Sequence, residues 1–365
     1  MHSVENLASE RRDARRALEI CNACRYCEGY CAVFPAMELR RAFSDGEVDY
    51  LANLCHNCRG CYYACQFAPP HEFGINLPRT FAQLRSATYE EYGWPRPLAR
   101  SFRSNGLVLS LVTALAIALV VFLTLGLREN EAFSGPLDGP GAFYTFIPYA
   151  LMVGISSATF GFSLLALLIG AVRFWRGTDS GGVPGARSLL RALGDVLTLR
   201  HLGGGSHGCN DLDESFSQSR RWLHHFLFYG FALCFASTSV AAFYDHGLGL
   251  QAPYPFWSLP VVLGTVGGVG MVIGAAGLFW LKLVGDATPA SPNLLGADVG
   301  LIFLLGMTAL TGLVLLVLRA TPAMGVLLAV HLGFVLAFFL LMPYSRFVHG
   351  VYRTAALVRY ARERD

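Results

Sequence analysis

The pattern of apolar and polar positions divides the chain near residue 105. Beyond that point six long uncharged stretches follow one another, whereas none precedes residue 104. Each is long enough to cross about 30 Å of hydrocarbon as a helix of roughly 20 residues. The pattern predicts a polar N-terminal module, residues 1–105, and a six-helix transmembrane domain, residues 106–345. The predicted spans cover approximately 106–127, 146–172, 223–244, 261–281, 299–318 and 323–343.

The N-terminal module also shows helical patterning. Residues 5–20 have the spacing of an exposed amphipathic helix with few apolar anchors. Residues 36–54 are helical in pattern at both ends, with a Ser-Asp-Gly break at 44–46. Prolines at 69, 70 and 78 indicate an irregular connection, after which a helix leads to the Trp-Pro-Arg-Pro turn at 94–97. The whole chain is therefore predicted to be all-α.

Charge adds an orientation to this picture. The formal net charge is only +3, which gives no reason to expect nucleic-acid binding. Arginines concentrate in the 173–222 loop and in a basic tail, residues 346–365. The connections at 128–145, 245–260 and 319–322 hold two between them, Arg128 and Arg319. The positive-inside rule then predicts a multi-pass inner-membrane protein whose termini, 173–222 loop and N-terminal module are cytoplasmic. The N-terminus lacks the apolar core of a secretory signal.

Two tandem cysteine blocks carry the strongest chemical signal. Each has the spacing C-x2-C-x2-C-x3-C, with an arginine after the second cysteine (Arg25, Arg59). Each iron of a [4Fe–4S] cube needs one sulfur ligand, so eight cysteines predict two clusters. In two-cluster ferredoxin arrangements the fourth cysteine of a block ligates the other block's cluster, which we expect here. The predicted ligands are Cys21, Cys24, Cys27 and Cys31, then Cys55, Cys58, Cys61 and Cys65.

Zinc and disulfides are the alternatives to clusters. Zinc sites more often pair C-x2-C hairpins across a longer spacer, and three cysteines at spacing three suit one tetrahedron poorly. Disulfides would require an oxidising compartment, which the absence of a secretory signal does not favour. The spacing therefore favours iron–sulfur chemistry.

Histidines near the ends of the apolar stretches are candidate haem ligands, because such residues are costly in membranes and tend to be functional. The third stretch carries His224, His225 and His246, and the sixth is taken to carry His331 and His349. Eighteen residues, or five helical turns, separate His331 from His349, so both would share one face about 27 Å apart. The antiparallel third and sixth helices would then form two levels.

Each level could hold a b-type haem through two axial imidazoles. The cytoplasmic level would pair His349 with His224 or His225, of which only one can ligate because neighbours point about 100° apart. His224 is slightly preferred. The outer level, His246 with His331, is a second possible haem. An interfacial polar role is the alternative for each histidine.

Residues beside these histidines have less specific predictions. Arg220 and Arg221 could pair with haem propionates, since the guanidinium fork suits carboxylates. Simple positive-inside charge is the alternative. The 202–217 loop combines three consecutive glycines, 203–205, with His207 and Cys209. It could be a docking loop or lie near a cluster or haem, and a flexible interhelical loop is the default interpretation.

Several segments together resemble a known family. APPHEFGINLP (68–78), HGCNDLDESFSQSRRWLHHFLFYGFALCFAST (207–238), the tandem blocks and the six-helix region resemble the TcuB/CitB family of tricarballylate-utilisation proteins. The module is also similar to the C-terminal half of CobZ, where it is joined to a flavoprotein domain. The resemblance implies a separate FAD-dependent, TcuA-like dehydrogenase that oxidises tricarballylate, whose reduced flavin this chain would reoxidise.

The expected function is thus electron transfer from a partner's reduced FAD, through two [4Fe–4S] clusters and haem b, to the quinone pool. The chain has no dinucleotide fingerprint and no residue assigned to acid–base catalysis, so its status as an enzyme stays open. One alternative is the electron-transfer module of a CobZ-like flavin monooxygenase system. Another is a membrane redox sensor.

Overall fold

The computed structural model describes residues 2–126, 141–178 and 182–365. Within them the secondary structure is helical, and the one β-bridge joins Cys209 to Ser217. The N-terminal module contains six helices in its described residues: α1 (His2–Cys24), α2 (Val33–Glu38), α3 (Asp45–Leu54), α4 (Gly60–Tyr63), α5 (Leu77–Tyr92) and α6 (Arg96–Ala99). The all-α prediction is confirmed.

Local sequence signals set the starts of two module helices. Ser44 and Glu47 form a reciprocal capping box at α3, in which the Glu47 amide donates to Ser44 Oγ at 3.3 Å and the Ser44 amide donates to Glu47 Oε2 at 3.0 Å. Asn76 caps α5 by accepting from the Arg79 amide at 3.1 Å, with Pro78 in the first turn. These caps explain why the Ser-Asp-Gly break and the proline-rich connection end where they do.

The described residues of the remainder contain six helices long and apolar enough to cross a membrane, which confirms the predicted number. They are α7 (Asn105–Gly126), α8 (Tyr149–Gly177), α10 (Ser219–Leu248), α11 (Leu259–Val284), α12 (Leu295–Leu318) and α13 (Met324–Leu341). Between α8 and α10 lies the short helix α9 (Ala186–Leu197).

Glycines allow α10 and α11 to pack backbone to backbone. A Cβ added at Gly267 would lie 2.7 Å from the Gly230 carbonyl oxygen and 2.8 Å from the Cys234 amide nitrogen. Real Cβ atoms do not approach so closely, so only glycine fits at this crossing. Helices in lipid associate through close packing of this kind, because no hydrophobic force drives them together there.

The sixth span ends before His349, so the expectation that His331 and His349 share one helix is wrong. α13 ends at Leu341, a 3-10 turn covers Met342–Tyr344, and Ser345 is fully extended. Pro343 cannot donate to the preceding turn, which favours an interruption there. A separate helix, α14 (Val348–Glu363), begins after the break and carries His349.

Residues 346–365, expected as a basic tail, belong to the core of the N-terminal module. Val348, Tyr352 and Ala356 of α14 are buried in the same apolar cluster as α1, α3 and α5 residues. Near the end of α14, Glu363 pairs with Arg40 and accepts a hydrogen bond from Tyr50 at 3.1 Å. The chain therefore returns from the membrane bundle to complete the module from which it started.

Candidate redox site

The first group of thiols combines three cysteines of the first block with the last cysteine of the second. Burial and the neighbouring thiols of Cys65, Cys27 and Cys24 raise the pKa of Cys21 to about 12. These cysteines line one small cavity beside Phe67. A metal cation would stabilise the thiolates that burial disfavours, because thiolates are the ligand form of cysteine.

The second group is the complement of the first. A hydrogen bond between the Cys31 and Cys58 thiols lowers the pKa of Cys58 and raises that of Cys31, and Cys55 and Cys61 are the other thiols close to Cys31. Cys61 also borders the cavity of the first group. The last cysteine of each block thus lies with the first three of the other block, as expected for exchanged ligands.

The spacing of the thiols suits a cube better than a single ion. No three His, Cys, Asp or Glu side chains in the described residues converge on one point where a single metal ion would sit. Thiols that surround a cube stand farther apart than those that share one ion, because each binds a different iron. Arg25 and Arg59, which hold matching places in the two blocks, both adopt left-handed backbone conformations, with φ of 55° and 67°. The repeat is therefore structural as well as sequential.

Backbone carbonyls of the second block receive donors from distant helices. The Cys55 carbonyl oxygen accepts hydrogen bonds from Arg85 Nη1 at 3.0 Å and from Arg353 Nη2 at 2.9 Å. The neighbouring His56 carbonyl oxygen accepts from Arg220 Nη2 at 3.2 Å. Three arginines on α5, α14 and α10 therefore fix the peptide segment at Cys55–His56.

The 202–217 loop lies against the second thiol group, which selects among the interpretations that the sequence left open. The Asn210 amide donates to the Cys58 carbonyl oxygen at 2.9 Å, and a Cβ added at Gly204 would lie 3.4 Å from Cys58 Cβ. Cys209 is buried, and its Sγ accepts from Arg220 Nη2 at 3.1 Å. His207, the loop's other candidate residue, lies instead beside Phe216, with the ring centroids 5.6 Å apart and the planes tilted by 46°.

His224 and His349 face each other across α10 and α14. Their ring centroids are 6.1 Å apart, and the ring planes make an angle of 81°. Two imidazoles on opposite sides of one metal ion, each at about 2 Å from it, place their centroids about 6 Å apart. The separation therefore matches a pair of axial ligands to one metal.

The surroundings of the ring nitrogens of His224 and His349 also suit ligation. His349 Nδ1 lies 2.5 Å from the Arg346 carbonyl oxygen, so it donates there and leaves Nε2 as the free nitrogen. Burial, Arg353 and His224 lower the pKa of His349 to about 3, which keeps the ring in its neutral, ligating form. His224 Nδ1 is buried, with no hydrogen-bond partner in the described part of the chain. Phe231, Phe338 and Phe347 form an apolar cluster beside the pair.

His225 and Arg221 point to other neighbours. The His225 ring stacks on Tyr229 at 5.9 Å with an interplanar angle of 7°. Arg221 Nη2 donates to the Thr198 carbonyl oxygen at 2.9 Å. Arg220, besides its contacts with His56 and Cys209, pairs with Asp211 at 3.1 Å. Both arginines thus already bind protein acceptors, and of the adjacent histidines the structure brings His224 to His349.

The two outer histidines have different neighbours. Tyr149 OH lies 2.7 Å from His246 Nε2, and Thr311 Oγ1 lies 3.1 Å from His331 Nδ1. Among the ring contacts of residues 2–126, 141–178 and 182–365, none joins His246 with His331. The structure does not bring the outer pair together.

The sequence analysis did not predict that Arg353 and Arg220 donate hydrogen bonds to the backbone of the Cys55–His56 segment. Each arginine lies four residues from a candidate ligand on the same helix, Arg353 after His349 and Arg220 before His224. Residues four apart share a helix face, so this spacing was a usable signal. His56 follows Cys55 in the chain, and its ring lies 5.6 Å from that of His201.

The fold and the site define a helical membrane protein that carries a cysteine-rich, ferredoxin-type module at one end of its bundle. The chain belongs to the citrate utilization protein B family. The family model "Citrate utilization protein B" matches residues 100–365, and "Citrate utilization protein B Fer4-like domain" matches residues 14–91. Citrate utilization protein B of Escherichia coli is 44% identical over 359 residues, which cover 98% of this chain and 94% of that protein. No solved structure matches the chain.

Proposed function

We propose that the protein is a membrane electron-transfer subunit that reoxidises the FAD of a partner dehydrogenase and reduces quinone. In this proposal Cys21, Cys24, Cys27 and Cys65 hold one [4Fe–4S] cluster, and Cys31, Cys55, Cys58 and Cys61 hold the other. His224 and His349 hold a b-type haem. These groups supply one-electron redox chemistry when bound.

One observation carries the proposal: the two helices that bear His224 and His349 also donate hydrogen bonds to the backbone of the second thiol group. On α14, His349 and Arg353 lie one turn apart, and Arg353 donates to the Cys55 carbonyl oxygen. On α10, His224 and Arg220 lie one turn apart, and Arg220 donates to the His56 carbonyl oxygen. A route of covalent and hydrogen bonds thus joins the thiol segment to both histidine-bearing helices, which supports electron transfer between them.

The first thiol group is the proposed point where electrons arrive. Tyr26, between Cys24 and Cys27, is 68% exposed, whereas Cys55 and Cys58 of the second group are buried. A partner flavoprotein can therefore approach the first group more closely than the second. Given the family, a tricarballylate dehydrogenase-like (TcuA-like) enzyme is the proposed partner.

The remaining parts of the proposal concern orientation and the other candidate ligands. The arginine-rich 173–222 loop and α14 support a cytoplasmic module in an inner membrane. The Nε atoms of Arg220 and Arg221 are both buried without a partner among the described residues. Arg220 is in addition held by Asp211, so Arg221 is the better candidate for a haem propionate. The separate contacts of His246 and His331 favour one haem.

The test begins with anaerobic purification in detergent, followed by iron, acid-labile sulfide and haem analysis. We expect about nine irons, of which eight belong to the two cubes and one to a b-type haem, together with about eight sulfides per chain. Protein reduced by the partner flavoprotein should then be reoxidised by quinone. Absence of labile sulfide would refute the clusters, and failure of every quinone would refute the acceptor and favour a redox sensor.

A further inference from the structure

An open cavity of about 1010 Å³ lies where the N-terminal module meets the membrane bundle. Its walls come from α1 and α5 of the module and from the first turns of α7 and α12. At its floor Gly106 of α7 approaches Gly296 of α12, since a Cβ added at Gly106 would lie 3.2 Å from the Gly296 carbonyl carbon. The volume is at the upper end of the range for small-molecule sites, about 300–1,000 Å³.

The cavity lining carries charged side chains on the module side and a mixture of apolar and small polar side chains on the bundle side. Glu10, Glu90 and Arg100 belong to the polar part, and Leu107 and Leu294, at the starts of the spans, belong to the apolar part. Burial and Asp13 raise the pKa of the Glu10 carboxyl. A ligand with a polar ring and a long apolar tail fits such a lining, because its tail can leave along the bundle while its ring meets donors and acids.

Two chains of contacts connect this cavity with His349. Ala297 lines the cavity, and the next residue, Asp298, pairs with Arg346 Nε at 3.0 Å. The Arg346 carbonyl oxygen accepts from His349 Nδ1.

The second chain runs through aromatic rings. Phe102 lines the cavity and its ring lies 5.8 Å from that of Tyr89, over which the Arg346 guanidinium lies at 5.8 Å. Both chains of contacts pass through Arg346, whose carbonyl oxygen accepts from His349. Two residues therefore separate each cavity-lining residue from His349.

We propose that this cavity is the quinone-reduction site, an assignment that rests on the proposed function. The haem that His224 and His349 would hold would supply two electrons, one at a time. The two ring carbonyl oxygens of the quinone each take one proton and become the hydroxyls of the quinol. The cavity carboxyls, Glu10 and Glu90 among them, pass these protons from solvent, and Arg100 can donate hydrogen bonds to the ring oxygens.

The direct test is binding of a decyl-tailed benzoquinone to the purified full-length protein, measured by equilibrium dialysis. Ser86→Trp and Gln83→Trp place an indole in the cavity and should each raise the Kd at least about tenfold. Ala42→Trp, at an exposed position of the same module, should leave the Kd unchanged. Haem and iron content of each variant report whether the fold is intact.

Measuring the rate of reoxidation by quinone distinguishes the assignment of the cavity from the proposed electron transfer to quinone. Dithionite-reduced wild-type protein should be reoxidised by the quinone, and both tryptophan variants should be reoxidised at least about tenfold more slowly. Unchanged Kd and rate in two folded variants would overturn the cavity assignment while the proposed electron transfer to quinone stands. Failure of the wild-type protein with every quinone would overturn that electron transfer. Displacement of the quinone by equimolar phosphatidylglycerol would identify a lipid site and overturn the assignment.

The proton donors have their own test. At saturating quinone, the double variant Glu10→Gln and Glu90→Gln should form quinol at least about tenfold more slowly, because the local acids are lost. Glu72→Gln, which is exposed and outside the cavity, is the matched control. An unchanged rate in the double variant would remove these carboxyls from the proton route.

Discussion

Arg353 donates a hydrogen bond from Nη2 to the carbonyl oxygen of Cys55 at 2.9 Å, across 298 positions of the chain. The guanidinium is buried, and burial together with Arg85 lowers its pKa to about 10, so it is charged at neutral pH. The contact therefore brings a fixed positive charge between the second thiol group and His349.

Replacing Arg353 by methionine should affect both stability and potential. Loss of a buried hydrogen bond from a charged donor costs about 1.5–3 kcal/mol, and loss of the positive charge favours the oxidised state of the nearby site. We expect a lower thermal midpoint and a lower reduction potential of the b-type signal. Thermal unfolding and a redox titration check this against Arg364→Met, an exposed change at the residue that directly follows the same helix. Equal potentials in the two variants would contradict the electrostatic role.

His349→Ala should remove the haem that we assign to the histidine pair. One axial imidazole is lost, while the thiol groups keep all eight cysteines. The reduced-minus-oxidised spectrum should lose its b-type band, with iron–sulfur content retained. His207→Ala, in the loop beside Phe216, is the control. Full haem occupancy in His349→Ala would rule out this ligand.

The grouping of cysteines across the two blocks gives a sharper prediction than their number. Cys65→Ser should perturb the same electron paramagnetic resonance signal as Cys21→Ser, and Cys31→Ser the same signal as Cys58→Ser. Cys234→Ser, on α10 and away from both groups, should change neither. If Cys31→Ser and Cys21→Ser altered the same signal, the exchange between blocks would be incorrect.

Gly267→Ala tests the α10–α11 crossing. Its new methyl group would lie 2.7 Å from the Gly230 carbonyl oxygen, and overpacking of this kind typically costs about 1–3 kcal/mol. Gly154→Ala on α8 is the matched control, because a Cβ there meets nothing within 4 Å. Thermal unfolding in detergent should separate the two variants. A midpoint for Gly267→Ala equal to that of Gly154→Ala would mean that the helices can shift apart freely.

The sequence predicted the features that repeat or persist along the chain. Six apolar stretches gave the six spans because hydrocarbon imposes a minimum length on each. The spacing within the blocks predicted that the last cysteine of each block lies with the first three of the other, which is the grouping in the structure. The break after Leu341 was missed because apolar residues continue to Pro343, although Val348, Tyr352 and Ala356 recur at helical spacing and could have indicated a new buried helix.

Other features had no sequence signal. The Cys55 carbonyl that accepts from Arg353 is a backbone group, and every residue carries one. Similarly, the levels of His246 and His331 were inferred from distance along ideal helices, whereas their neighbours, Tyr149 and Thr311, depend on how the helices rotate. Packing decides that rotation, and no local pattern in the chain records it.

The return of α14 to the N-terminal module determines when that module can close during synthesis. Cys65 is the last of the block cysteines, and the helix that completes their core ends at Glu363. At about 5–20 residues per second, a ribosome needs roughly 15–60 s to translate the intervening stretch. Throughout that interval all eight thiols are available while their core is unfinished. Iron and sulfide can thus be delivered to an open module, which the arriving helix then seals.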